Sequence, residues 1–441
     1  MPMRMLVAVV LVGLTVPATA QEQEQPQPMP PREFRGGKLD APVPSDRDQR
    51  DFQKMVRGQE DAPAGAERRK ELFERVLRYL IYRLTWENIH DGRDTVTTRE
   101  IMEGTPGAGV DGIFEAFPPP TFSRQADDPE EAARRDRQRK YLNEMRGYAT
   151  HYLREVLSNR LLIARLNAAI VLHRFAQYGQ EEVADEFLWI LENPNEHDAI
   201  KHWAVKGIGE LFNQVKNPKD PKRMDRCALA VYSWLENKTK LPPTLVAELS
   251  EPEQDAVRYL RREAIRVLAA YRRPVIVEDA KANVREGPVA ALLVRIMNNA
   301  EGTISPSASL TERKEAAEAL CNLQHKRSET YQPDYVVYQV ARFIAVLGAE
   351  ADRDRSRTAQ RWKAFAAHLK VAWDNLGDDL KNTPHAQYIK RLEGRVNPVL
   401  EYIFDESKSA NSVPELNEFL ANNPPKSNDV FGQPPARQPG G

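Results

Sequence analysis

Arg165-Leu-Asn-Ala168-Ala-Ile-Val-Leu172 decides the fold, because its pattern returns three times along the chain. The other copies are Lys201-His-Trp-Ala204-Val-Lys-Gly-Ile208, Arg261-Arg-Glu-Ala264-Ile-Arg-Val-Leu268 and Arg313-Lys-Glu-Ala316-Ala-Glu-Ala-Leu320. Each holds a basic residue, an Ala three positions on, and a Leu or Ile four beyond that. On a helix, residues four apart share a face. Ala168, Ala204, Ala264 and Ala316 let a neighbouring helix approach, while Leu172, Ile208, Leu268 and Leu320 fill the gap beside them. The basic residue falls on the same side, where its long stem is expected to snorkel over the interface rim.

The first two copies begin 36 residues apart, the length of one two-helix repeat unit, whereas the next intervals of 60 and 52 require inserted chain. These four segments, Arg165–Leu172 and Arg261–Leu268 above all, resemble HEAT-type helical repeats across residues 160–325. The resemblance implies an all-α, irregular α-solenoid of HEAT-like hairpins, binding partners over an extended surface rather than in one deep pocket. It further implies a binding or scaffolding role toward a protein or envelope polymer.

Working outward, Leu72, Phe73, Val76, Leu77, Leu80, Ile81 and Leu84 form one helical stripe. Pro129, Glu130 and Glu131 open a helix carrying Tyr141, Met145, Tyr148, Tyr152 and Val156. Further helices are expected near 160–177, 181–192, 197–216, 221–236, 252–272, 286–299, 310–325, 334–348, 355–377 and 398–406, the last starting at Asn397-Pro398. Val275-Ile276-Val277 is too brief a β-branched run to predict a sheet. Residues 91–128, with Gly104, Gly107, Gly109, Gly112 and Pro118-Pro119-Pro120, read as an irregular loop, functional or mobile. An enzyme site, if the chain has one, is expected beneath it.

The chain carries 32 prolines, and many mark its ends. Residues 1–20 read as a signal peptide: Arg4, the apolar run Leu6–Val16, the breaker Pro17, then the small cleavage pair Ala18 and Ala20. Residues 21–63 read as a disordered Pro/Gln-rich tether and 422–441 as a disordered tail. Between them lie an N-terminal helix with its loop at 64–128 and a repeat-like helical domain at 129–421. The expected product is exported, periplasmic or extracellular after cleavage, without a transmembrane helix in the mature chain. An alternative makes it an envelope spacer tethered by these ends.

Lys and Arg total 63 against 64 Asp and Glu, a net charge of −1 that gives no overall drive toward nucleic acid. The basic run Arg134–Lys140 follows four acidic residues and reads as a solvated helix face with pairs such as Glu130–Arg134. Arg261, Arg262, Arg266, Arg272 and Arg273 form the one candidate patch for an acidic partner.

Gly107-Ala-Gly109-Val-Asp-Gly112 matches a dinucleotide fingerprint by letter but lacks the strand before it and the helix after it. His197 and His202 stand five apart on a helix, on divergent faces, which does not suit a metal pair. No zinc, P-loop or serine-nucleophile motif occurs, so no catalytic, cofactor or metal residue is nominated and no cofactor is expected. Trp189, Trp203, Trp234, Trp362 and Trp373 read as core. Cys227 and Cys321 read as separate small hydrophobes, with a bridge left open by the export signal.

Overall fold

The computed structural model describes residues 34, 37–60, 65–86, 95–104, 112–116, 128–280, 283–299, 303–324, 330–405 and 407–432. Among them the chain forms sixteen α-helices and one antiparallel β-hairpin, so the all-α class holds. It divides into two compact units between Lys219 and Asp220, inside the stretch 129–421 that the sequence presents as one domain. The signal segment with Ala18 and Ala20 lies outside the described residues.

The first unit contains α1 (Asp46–Val56), α2 (Ala66–Tyr82), a 3-10 turn (Arg83–Thr85), α3 (Thr95–Glu103), α4 (Ile113–Ala116), α5 (Pro129–Leu157), α6 (Leu162–Gln177), α7 (Ala184–Glu192) and α8 (Asp198–Gln214). Helix α1 corrects the disordered tether. Ser45 and Asp48 form a capping box at its start, which satisfies donors left open at a helix N-terminus. Phe52, Met55 and Val56 then share one face and are buried. Phe52 meets the rings of Phe73 and Tyr141 at 6.5 and 5.8 Å. Burying one such aromatic contributes about 2–3 kcal/mol, so three well-placed apolar residues order a stretch whose composition reads as disordered. Helices α3 and α4 likewise replace part of the irregular loop, with Ile101, Ile113 and Ala116 buried. A Cβ on Gly112 would lie 2.1 Å from the Gly104 backbone nitrogen, so this glycine serves a close approach within that fold. Gly107 and Gly109 lie outside the described residues.

Ion pairs give the helix directions. Arg69 meets Glu144 at 3.0 Å and Tyr82 donates to Glu155, so α2 runs parallel to α5. Arg146 meets Glu182 at 2.5 Å and Arg154 pairs with Glu186, so α5 runs parallel to the segment leading into α7. Arg165 meets Glu196 at 3.2 Å, and the His173 ring lies 5.2 Å from that of Trp203, so α6 runs parallel to α8.

The second unit contains α9 (Pro221–Thr239), α10 (Pro243–Glu248), α11 (Glu251–Tyr271), β1 (Ile276–Ala280), β2 (Asn283–Gly287), α12 (Val289–Asn298), α13 (Leu310–Asn322), α14 (Pro333–Leu380), α15 (Ala386–Phe404) and α16 (Ser412–Asn422). Arg258 donates to the Ser307 carbonyl and Arg272 to that of Asn322, so α11 and α13 run parallel. Strands β1 and β2 correct the expectation of no sheet, pairing Ile276 with Gly287 and Ala280 with Asn283. Ile276 is buried and Val277 exposed, the alternation of a hairpin with one covered face.

Helix α14 is a single helical run where the periodicity shows two helices. Arg313 lies 5.2 Å from the Phe343 ring, while its neighbour Lys314 lies 5.4 Å from that of Phe365. On a straight helix those aromatics would stand about 33 Å apart. His385, just before α15, also meets Asp334 at the start of α14 at 2.8 Å. The run therefore turns back on itself between Glu350 and Arg361, and its arms match the two expected stripes. Pro398 does not start a helix but lies inside α15. The buried series Leu392, Val396, Val399, Leu400 and Ile403 spans it, so packing offsets the roughly 3 kcal/mol that an interior proline costs. The tail is corrected too. Val430 is buried, its carbonyl accepts from Gln332 at 2.9 Å, and the Gly432 N–H donates to Thr330 at 2.7 Å. Residues 433–441 lie outside the described set.

Candidate functional site

All eight residues nominated for repeat packing are buried: Ala168, Leu172, Ala204, Ile208, Ala264, Leu268, Ala316 and Leu320 are at most 1% exposed. They belong to α6, α8, α11 and α13, so they serve the core. The snorkelling expected of the basic residue is overturned for the first copy in each unit. Arg165 is buried, donating to Glu196 at 3.2 Å and to the Asn159 carbonyl at 2.7 Å. Arg261 is fully buried, with Nε and Nη2 on the two oxygens of Glu312 at 2.7 and 3.1 Å and Nη1 on the Pro306 carbonyl at 2.9 Å. A buried charge persists only when paired and hydrogen-bonded, and both arginines meet that condition.

Pairing also reaches the candidate acidic-partner patch. Arg262 and Arg266 meet Glu315 at 2.8 and 2.7 Å. Arg272 caps α11 in a left-handed conformation and donates to the Asn322 carbonyl, while Arg273 meets Asp225 at 2.9 Å. Arg261 is thus an internal tie, while Arg266 and Arg272 stay exposed beside their partners.

The open surface is in the first unit. Helices α2 and α5 run parallel to each other and to the turn leading into α7, with a groove on each flank of α5. The first, about 430 Å³, is lined by Glu71, Glu74, Arg75 and Arg78 of α2, by Tyr82 and Pro42, and by His151, Tyr152 and Glu155 of α5. The second, about 380 Å³, is lined by Asn143, Arg146, Gly147, Thr150, His151 and Arg154 of α5 with Glu182. His151 stands on the ridge between them. Spacing of three and four along α5 puts these residues on one side. Gly147 opens the ridge further, since a Cβ there would meet nothing within 4 Å.

Their electrostatics are mixed. Arg146 bridges Glu182 and the Asn143 carboxamide oxygen, the latter at 2.7 Å. Burial alone would raise the Glu182 carboxyl, but its own backbone N–H, Arg146 and Lys219 together hold it below the ordinary range. Burial, reinforced by Glu74, pushes the Tyr152 phenol up to about 12. Tyr152 and Tyr82 meet edge to face at 5.7 Å, and Tyr82 donates to Glu155. The face thus offers alternating guanidinium and carboxylate groups around two phenols. Nothing in the sequence flagged it, because each charge reads locally as a solvated helix position.

Neither groove is lined by residues of the 91–128 segment. His197 caps α8, its Nδ1 accepting from the Ala199 N–H at 3.1 Å. The His202 ring instead meets that of Trp203 edge to face at 5.9 Å. Cys227 and Cys321 are buried free thiols. Among the described residues no group of His, Cys, Asp and Glu is arranged to hold a metal, and no helix is long and apolar enough to cross a membrane. No family model, curated protein or solved structure matches the chain.

Proposed function

We propose that the chain is an exported, non-catalytic binding or scaffold protein that engages a protein partner over the α2/α5/α7 face of a HEAT-like helical array. The observation that carries this reading is the layer formed by α2, α5 and the turn into α7, with an open groove on each flank of α5. Stacked hairpins generate such a layer, because their first helices align on one side and their second helices on the other. The motif positions support the same reading. All four copies fall on the second helix of a hairpin: α5/α6, α7/α8, α9/α11 and α12/α13. The irregular intervals also find a cause. The β-hairpin sits within the interval of 52, and α10 within the interval of 60.

Mixed charge on the face suits a protein with both signs of side chain. A photocrosslinking side chain at Thr150, introduced into the full-length protein in its native cells, tests this. The expected product is one reproducible protein adduct, whose affinity for the purified chain falls about two- to fivefold on Arg146→Glu and is salt-sensitive, as rim charges behave. A polymer adduct, no adduct at Thr150, or equal crosslinking from control positions on α6 would reject the face as the protein-binding surface.

A further inference from the structure

One segment already lies against this face. Residues 38–44 form neither helix nor strand, and Pro42 and Pro44 bias Ala41 and Val43 to extended backbone. Three side chains of the folded unit read its main chain. Thr85 Oγ1 accepts from the Leu39 N–H at 2.9 Å. Asn159 Nδ2 donates to the Gly37 carbonyl at 2.8 Å, and Arg78 Nη2 donates to that of Asp40 at 3.1 Å. Side-chain contacts flank them. The Arg165 guanidinium lies 4.1 Å from the Phe34 ring, and Lys38 sits over Trp86 at 5.7 Å. Pro42 then forms a wall of the α2/α5 groove.

Hydrogen bonds to backbone, with one aromatic anchor, are how folded domains hold extended peptides. With the segment in place Thr85 and Asn159 are 0% and 2% exposed. Thr85 keeps its own bond to the Tyr82 carbonyl at 2.8 Å, and Asn159 Oδ1 accepts from Leu161 at 2.9 Å. Both side chains are thus held in place by the fold, independently of the segment they receive. Gly37 adopts φ of +113° with nothing near a would-be Cβ, which suits a backbone turned to present its carbonyl.

We propose that Phe34 and residues 37–44 are a built-in ligand of a peptide-binding site beside the α2/α5 groove, and that the partner of this face is an extended peptide segment that replaces them. The inference rests on the α2/α5/α7 reading and specifies the chemistry of the partner: main chain read by Thr85, Asn159 and Arg78, with an aromatic side chain placed on Arg165. The tethered segment competes at an effective concentration in the millimolar range, as short linkers do, so Thr85, Asn159, Arg78 and Arg165 stay covered until the segment is released.

A fluorescent peptide with the sequence of residues 33–44 tests this against the full-length chain. Phe34→Ala removes the aromatic anchor of the built-in segment without touching the groove. This variant should bind the peptide about fivefold or more tightly than the unmodified chain, the scale of a desolvated cation–π contact. Adding Arg78→Ala, an exposed position, should weaken binding about threefold by removing one backbone contact. Equal affinity of Phe34→Ala and the unmodified chain, or indifference to Arg78→Ala, overturns the proposal. If the peptide fails while Thr150 still crosslinks its protein, only the built-in ligand falls. If the peptide binds as expected and Thr150 captures nothing, the wider face is rejected and the groove stands.

Discussion

Arg261→Met removes the charge of a fully buried ion pair while keeping most of the apolar stem. The native guanidinium spans Glu312 bidentately and closes the Pro306 carbonyl with a third bond. In the variant Glu312 keeps only the Ser309 backbone N–H, at 2.8 Å. Breaking one partner of such a pair costs about 3–5 kcal/mol, because the surviving charge stays buried. For a unit of roughly two hundred residues that lowers Tm by about 6–20 °C. Hydrogen exchange localises the effect: amides of 252–271 and 310–322 should lose protection, while those of 162–177, in the other unit, should not. Arg261→Met with Glu312→Gln should recover about half the loss, since Gln is neutral and still completes the Ser309 capping box. A single-variant cost below about 1 kcal/mol, or strict additivity of the two substitutions, would refute the argument that the buried charge sets the cost.

Three further outcomes follow from the first unit. Gly207→Ala places a Cβ 2.2 Å from the Phe187 ring, so it should cost about 1–3 kcal/mol by overpacking, seen as a lower denaturation midpoint. Phe52→Ala should cost about 3–5 kcal/mol of local stability, and exchange should report release of α1 with α6 and α8 still protected. Stability should also fall with acid. Burial first, then Lys206, lowers both His173 and His202 to about 4, with Arg174 adding at His173 and His173 adding at His202; Glu210, 3.7 Å from His173, is the facing carboxylate. The unfolded histidines bind protons near 6.5, so their contribution is complete above that pH and is lost as pH drops through 6.5 toward 4. The loss, about 1–3 kcal/mol after allowance for partial exposure, should shrink in His173→Phe, as read from urea midpoints across that pH range.

Helix faces were legible because periodicity is a local signal. The Ala and Leu or Ile of all four motif copies sit in the core as their spacing requires. Non-local partners were not legible. Glu196 lies 31 residues beyond Arg165 and Glu312 51 beyond Arg261, so a basic residue at a rim position reads by default as solvated. Composition misled at 46–56, where only three residues carry the burial. At 333–380 periodicity separated the two stripes although no Pro or Gly stands between Gly348 and Gly377 to mark a break. The interaction face was invisible for a related reason. Grooves arise between helices distant in sequence, and each lining charge also makes an ordinary helix-surface residue.

The motif's first position now has a sharper physical meaning than its last two. Ala and Leu let helices pack but tolerate sliding, since apolar contact is non-directional. A bidentate arginine does not tolerate it. Arg261 accepts one placement of the α13 N-terminus, because Glu312 is at once its ion partner and the capping residue of that helix. Arg165 ties the α5–α6 connection, through the Asn159 carbonyl, to Glu196, which accepts from the His197 N–H at the α8 start. Each pair therefore fixes where the following motif helix begins relative to the one before it, the register role best attested for buried polar groups. The next copies show what happens to that position in the following helix. Arg313 reaches back to the Met297 carbonyl at the end of α12 and out to Glu350 at 3.8 Å, anchoring its own hairpin instead. In the first unit register has a second consequence. Asn159 and Arg165, which set the α6–α8 pairing, are also the residues that hold Gly37 and Phe34, so the packing that aligns the hairpins also shapes the end of the peptide groove.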